Sequence, residues 1–152
     1  MWIGCGDRVK ISTLIDTNIL IDVLGPAELE TRRWSLDALK RTFSEGPVVF
    51  SAIVWAELSK PTLGEEALFR AFAWLQPVRE DFPFDAAFPA GAAHTLYRLR
   101  GGRRERTLPD FLIGAHATAA GHRLLTRDPG RYRSYFPSLN ILSPETYPLE
   151  ND

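Results

Sequence analysis

Cysteine is nearly absent from this chain: Cys5 stands alone among 152 residues. One thiol excludes an internal disulfide framework and cannot build a zinc site by itself. Long apolar runs are missing as well. None approaches the ~18 residues that suggest a membrane span, and the opening Met1 to Arg8 lacks the apolar core of a signal peptide. Charge of one sign is also lacking. The formal net charge is -1, so the whole chain is no polycation. A single domain over 1–152 in a reducing cytoplasm is the simplest expectation, with 1–9 and 144–152 as peripheral tails.

What the chain does hold is unevenly placed. Between Arg98 and Arg133 lie nine arginines (Arg98, Arg100, Arg103, Arg104, Arg106, Arg123, Arg127, Arg131 and Arg133) against the acids Glu105, Asp110 and Asp128. The C-terminal part is thus expected to offer a basic surface beside acidic groups, which suits a polyanion.

Short apolar runs alternate with amphipathic stretches, the pattern of an α/β fold. Strands are predicted at Val9 to Ile15, Val48 to Phe50, Arg123 to Thr126 and Leu139 to Leu142. Helices are predicted at Asn18 to Leu24, Glu28 to Phe43, Ala52 to Lys60, Leu63 to Leu75, Phe84 to Arg100 and Leu108 to Ala120. Gly25-Pro26, Pro61, Gly101-Gly102 and Gly121 supply the stops. Strands joined through helices imply a parallel sheet with right-handed crossovers.

Four acids stand where such a sheet presents ligands. Asp16 ends the first strand, directly after Leu14-Ile15. A carboxylate there is costly unless paired or metal-bound. A helix cap is its competing role, although Thr17 or Asn18 would serve as well. Glu57 lies on the helix after the second strand, where a plain solvent-facing role is equally expected. Asp110, in Thr107-Leu108-Pro109-Asp110, also fits a capping box. Asp128 follows a strand, and Asp128-Pro129-Gly130 also reads as a turn. Taken together, four carboxylates converging in one cleft suit a hard divalent cation, Mg²⁺ or Mn²⁺. The histidines, His94, His116 and His122, show no metal-ligand spacing among themselves, and His116 is expected to serve packing.

Leu14-Ile15-Asp16-Thr17-Asn18-Ile19-Leu20-Ile21-Asp22 resembles the opening motif of PIN-domain ribonucleases. Val54 to Leu58, Leu108 to Ala117 and Leu124 to Asp128 resemble that family's second, third and fourth motifs, in the same order. The layout is similar to VapC-type toxins of toxin–antitoxin pairs. The resemblance implies a three-layer PIN-like fold, with a central parallel sheet of about four to five strands flanked by helices. It implies a metal-dependent endoribonuclease, inhibited by a small antitoxin and often homodimeric. Carried over by residue, the acidic site is Asp16, Glu57, Asp110 and Asp128. Asp16, Asp110 and Asp128 would ligate the metal, Glu57 would ligate it or orient water, and Asn18 and Thr126 would be polar supports. Arg103, Arg104, Arg106 and Arg127 are candidates to hold RNA phosphates.

Two departures from the family pattern stand out. About ten residues precede the first strand, which places the expected translation start further in. Trp55 and Phe111 are bulky enough to reshape the groove. A catalytically silent PIN module that binds RNA or a protein partner is the alternative reading. A phosphatase on a related sheet fits less well, because the second aspartate it commonly needs two residues after the first is here Asn18.

Overall fold

A computed structural model describes residues 10–59, 63–102 and 108–150. Five strands form one sheet: β1 (Thr13–Ile15), β2 (Val48–Ser51), β3 (Val78–Glu80), β4 (Arg123–Leu125) and β5 (Ile141–Leu142). Their order is β3-β2-β1-β4-β5, and every pairing is parallel. β1 lies at the centre, with Leu14 in register with Val49 on one side and Leu124 on the other.

The inner strands β1, β2 and β4 are short and mostly apolar because both faces are covered. Leu14, Ile15, Val48, Val49, Phe50, Leu124 and Leu125 are all buried. Successive residues point to opposite faces of a sheet, so helices must cover both. They are α1 (Thr17–Leu24), α2 (Glu30–Glu45), α3 (Ala52–Glu57), α4 (Glu65–Phe72), α5 (Ala87–Leu99), α6 (Leu108–Ala120) and α7 (Gly130–Tyr135). The expected α/β architecture of four to five parallel strands is what the chain adopts.

Local chemistry explains most boundaries. The Asp16 carboxylate accepts from the Thr17 N–H at 2.7 Å and so caps α1. The Ser51 hydroxyl accepts from the Ile53 N–H at 3.2 Å and caps α3. Pro89 falls in the first turn of α5, where a missing N–H costs nothing. α6 carries Gly114 because Phe136 lies against it: a Cβ there would come within 2.5 Å of the ring. Its small residues therefore serve helix and side-chain packing as much as contact with the sheet.

Several expectations need correction. β3 was not foreseen, because Val78-Arg79-Glu80 has no apolar run and its first two residues are exposed, as befits an edge strand. α7 was not foreseen either, because its start is hidden behind Asp128-Pro129-Gly130. The helix from Ala52 ends at Glu57, and Lys60 lies outside the described residues. The helix expected from Leu63 to Leu75 is α4 followed by a 3-10 turn, Ala73–Leu75. The expected C-terminal tail, 144–152, is docked as far as it is described. Tyr147 is buried, its hydroxyl donates to Glu45 at 2.7 Å, and its carbonyl accepts from the Trp34 indole at 2.9 Å. The other expected tail, 1–9, lies outside the described residues.

The chain winds outward from β1 through β2 to β3, then returns to the other side of β1 for β4 and β5. The winding direction thus reverses between β1 and β4. Crevices outside the carboxyl ends of strands at such a reversal are where open parallel sheets bind ligands.

Candidate active site

Asp16 follows β1 and Asp128 follows β4, so both flank this crevice. α3 brings Glu57 to it and the first turn of α6 brings Asp110. A cleft of about 210 Å³ is lined by all four acids together with Thr17, Asn18, Ile21, Arg131 and Tyr132. Residues 16, 57, 110 and 128 are thus brought together from across the chain.

Each acid is held differently. Asp16 is buried, and its Oδ2 accepts from the Thr126 hydroxyl at 2.8 Å and the Tyr132 hydroxyl at 3.0 Å. Glu57 accepts from the Thr17 hydroxyl at 2.7 Å. Asp110 accepts from the Arg131 guanidinium. The Asp128 N–H donates to Thr126 Oγ1 at 3.1 Å. Thr126 is therefore the hub of the floor. It donates to Asp16, accepts from the backbone of Asp128, and lies 3.4 Å from Asn18 Nδ2.

Crowding acids into a small cleft carries an electrostatic cost. Burial pushes the Asp16 carboxyl up to about 7, and the negative field of Asp110 adds to it, against the hydrogen bonds from Thr126, Tyr132 and Thr17. Burial also raises Asp110. Arg131 opposes that rise, while Glu57 and Asp128 add to it. Tyr132 is held well above its ordinary range by burial and by Asp16, so it stays a hydroxyl donor. The donor set is all oxygen, hard and anionic, and one guanidinium faces it. That is the ligand chemistry of a divalent cation such as Mg²⁺ or Mn²⁺.

The arginines need sorting. Arg127 was expected to hold phosphate. Its Nε and Nη2 instead fork onto Asp22 at 2.7 and 3.1 Å, and Ser35 donates to the same buried carboxylate at 2.7 Å. A guanidinium so engaged acts as a clamp on the segment after β4. Arg103, Arg104 and Arg106 lie outside the described residues. Trp55 and Phe111, expected to reshape the groove, do not line it. Trp55 stacks on Phe50 and donates to Glu65, and Phe111 is fully buried.

Sequence reasoning missed Arg131, Tyr132 and the Thr17 hydroxyl. Arg131 and Tyr132 follow Asp128 by three and four residues and line the same cleft. Reading Asp128-Pro129-Gly130 as a plain turn concealed the helix. The histidines also need correction. His116 and His122 lack ligand spacing in sequence, yet they meet Glu80 in space.

Fold and cleft together define the class: a parallel α/β domain with an acidic crevice at its winding reversal. The chain belongs to the PIN domain family, whose model matches residues 13–136. No curated protein matches the chain. Among solved structures it is similar to VapBC2 from Rickettsia felis bound to a promoter DNA fragment (20% identity, TM-score 0.64). That match covers 88% of this chain and 98% of the other. It is also similar to VapBC-1 from nontypeable Haemophilus influenzae, at 19% identity and TM-score 0.63 over 88% and 98%. A toxin–antitoxin complex from Klebsiella pneumoniae matches at 26% identity and TM-score 0.62, over 87% and 97%.

Proposed function

We propose that this PIN domain is a metal-dependent endoribonuclease, the toxin of a VapBC-type toxin–antitoxin pair. The observation that carries the reading is the convergence of Asp16, Glu57, Asp110 and Asp128 on one cleft at the carboxyl ends of β1 and β4. A phosphodiester is anionic, and bare carboxylates would repel it. Asp16, Asp110 and Asp128 would hold Mg²⁺ or Mn²⁺. When bound, such an ion lowers the pKa of water and stabilises charge on phosphoryl oxygens.

The remaining roles follow from the hydrogen bonds. Thr126 and Tyr132 hold one oxygen of Asp16 while the Thr17 N–H holds the other, so the carboxylate is fixed before substrate arrives. Glu57, steadied by the Thr17 hydroxyl, is placed to orient the attacking water or accept its proton. Asn18 supports the floor through Thr126 and accepts from the Arg127 N–H at 3.3 Å. Arg103, Arg104 and Arg106 remain proposed hydrogen-bond donors to RNA phosphates on the strength of their charge.

The antitoxin proposal is supported by the structural similarity to VapBC proteins and to the Klebsiella pneumoniae toxin–antitoxin complex. A homodimer is proposed as well. Phe84 and Phe88, four residues apart, are 90% and 87% exposed and offer apolar surface to a second copy. No helix among the described residues is long and apolar enough to cross a membrane, and a cytoplasmic site of action is part of the proposal.

The test is cleavage of structured RNA by the purified chain with Mg²⁺ or Mn²⁺, with and without chelator. Asp16→Asn and Asp110→Asn should abolish it, and undiminished activity in either variant would overturn the assignment. One observation favours the second reading, a silent module: Arg131 is already paired with Asp110 inside the cleft. Calorimetric titration with Mn²⁺ separates the two, because a silent module would show no saturable binding dependent on Asp16.

A further inference from the structure

A second cluster of ligating side chains lies beneath α6, apart from the acidic cleft. Glu80 ends the edge strand β3, His116 sits in the middle of α6, and His122 is in the turn that leads into β4. Glu80 Oε1 is 2.9 Å from His116 Nε2 and 2.9 Å from His122 Nε2. All three ligand atoms lie within 4.8 Å of one another. The side chains of His116 and His122 are 1% and 9% exposed.

Both rings are aimed from behind. His116 Nδ1 is 3.0 Å from the Ser51 hydroxyl, and His122 Nδ1 is 2.6 Å from the Ser12 hydroxyl. Each imidazole thus turns Nε2 toward the same carboxylate oxygen while a hydroxyl fixes its other nitrogen. That is how protein histidines are oriented for metal ligation.

We propose that Glu80, His116 and His122 form a three-ligand zinc site with one open position. Imidazole and carboxylate donors suit Zn²⁺, whereas Mg²⁺ prefers the all-oxygen cleft. Neighbouring ligand atoms around a tetrahedral zinc with bonds of ~2.0–2.2 Å lie roughly 3.3–3.6 Å apart, so each 2.9 Å contact with Glu80 would open by about half an ångström to admit the ion. The fourth position would be taken by water from an adjoining cleft of about 380 Å³ that Glu80 lines with Ser51, Trp55 and Arg79.

The two states exchange without loss of a proton. Free of metal, each imidazole would donate from Nε2–H to Glu80 and accept the serine O–H at Nδ1. With zinc, the N–H moves to Nδ1, the serine oxygen becomes its acceptor, and Nε2 gives its lone pair to the metal. A hydroxyl is the group that can serve both states. The ion would tie the exposed edge strand β3 to α6 and to the start of β4.

The test uses the full chain, stripped with chelator and dialysed, with zinc content and thermal midpoint as readouts. Neither depends on RNA cleavage, so failure here is separate from failure of the nuclease reading. Expected are one zinc retained per chain in the presence of excess Mg²⁺, and a midpoint raised on adding zinc. Both should be lost in Glu80→Gln and His122→Gln and kept in Asp16→Asn. Co²⁺ added to the unaltered chain should give the intense visible bands of a four-coordinate nitrogen and oxygen site, a readout that needs no variant to fold. The proposal is overturned if the unaltered chain retains no zinc, if binding survives in both glutamine variants, if it disappears in Asp16→Asn, or if Co²⁺ gives only the weak bands of six oxygen ligands.

Discussion

The acidic cleft and the histidine cluster solve opposite problems. In the cleft, four carboxylates face one another with Arg131 as the cation lining it, and burial drives Asp16 up to about 7. Beneath α6, one carboxylate meets two imidazoles whose remaining nitrogens are each hydrogen-bonded to a serine. For Glu80, burial works against ionisation, yet the hydrogen bonds from His122 and His116 outweigh it and hold the carboxyl below its usual value. Burial beside like charges therefore works against the ionised form of Asp16, a cost that the cation of the proposed function would relieve. The cluster is satisfied on its own, so a metal there exchanges one bonded state for another. A group that costs stability without its ligand is where perturbed ionisation points to function.

The largest effect that would break this contrast is on catalysis. Asp16→Asn should lower RNA cleavage by at least about 1000-fold, since a bound metal contributes several kcal/mol to such reactions. Glu80→Gln should leave the rate at saturating Mg²⁺ unchanged, and initial-rate measurements on both variants decide the matter.

Next is the pH dependence of stability without metal. The folded pKa of Asp16 lies above its unfolded value of 3.8. Its protonated form is thus favoured by folding, so its destabilising effect is absent below about 4 and complete above about 7. Relative to Asp16→Asn, the unaltered chain should be less stable at pH 8 by about 2–4 kcal/mol, with the gap closing as pH falls to 4. Urea titrations of both chains across this window measure it. A pH-independent gap would show that burial does not perturb Asp16.

A smaller effect belongs to the clamp beside the cleft. Arg127→Ala leaves buried Asp22 with Ser35 as its remaining side-chain donor among the described residues, and should cost about 1–3 kcal/mol. If Arg127 contacted RNA instead, this substitution would lower RNA affinity while leaving the unfolding midpoint alone.

The smallest effect sharpens the other side. Glu80 has a depressed folded pKa, so its contribution is present above its unfolded value of 4.5 and is lost as pH falls through the lower folded one. Partial exposure limits it to at most about 1 kcal/mol. Glu80→Gln should therefore destabilise slightly at pH 7, opposite in sign to Asp16→Asn, and the two variants should converge with the unaltered chain in acid.

Legibility followed the distance over which each signal acts. Val48-Val49-Phe50 reads as a buried strand because unbroken apolar character is a local property, and Ser51 reads as a cap because the N–H it accepts is two residues away. Asp16 could be singled out because Leu14-Ile15 before it announces burial. β3 escaped because an edge strand needs no apolar run, and α7 because Pro129 and Gly130 imitate a turn. Arg127 differs again: its charge suggested phosphate, and only the fold shows its partner Asp22, 105 residues away.

By itself, then, the sequence determined the α/β alternation, the four acids with their motif order, and the family. These rest on periodicity and on residues that carry chemistry within a few positions of a strand or helix end. Only the tertiary structure decided the strand order that puts β4 beside β1, and with it the contact of Thr126 with Asp16 across 110 residues. It alone brought Arg131 and Tyr132 into the cleft and gathered Glu80, His116 and His122 beneath α6. The physical reason is that side-chain convergence depends on how strands are paired and helices cross between them, and no local period along the chain encodes that pairing.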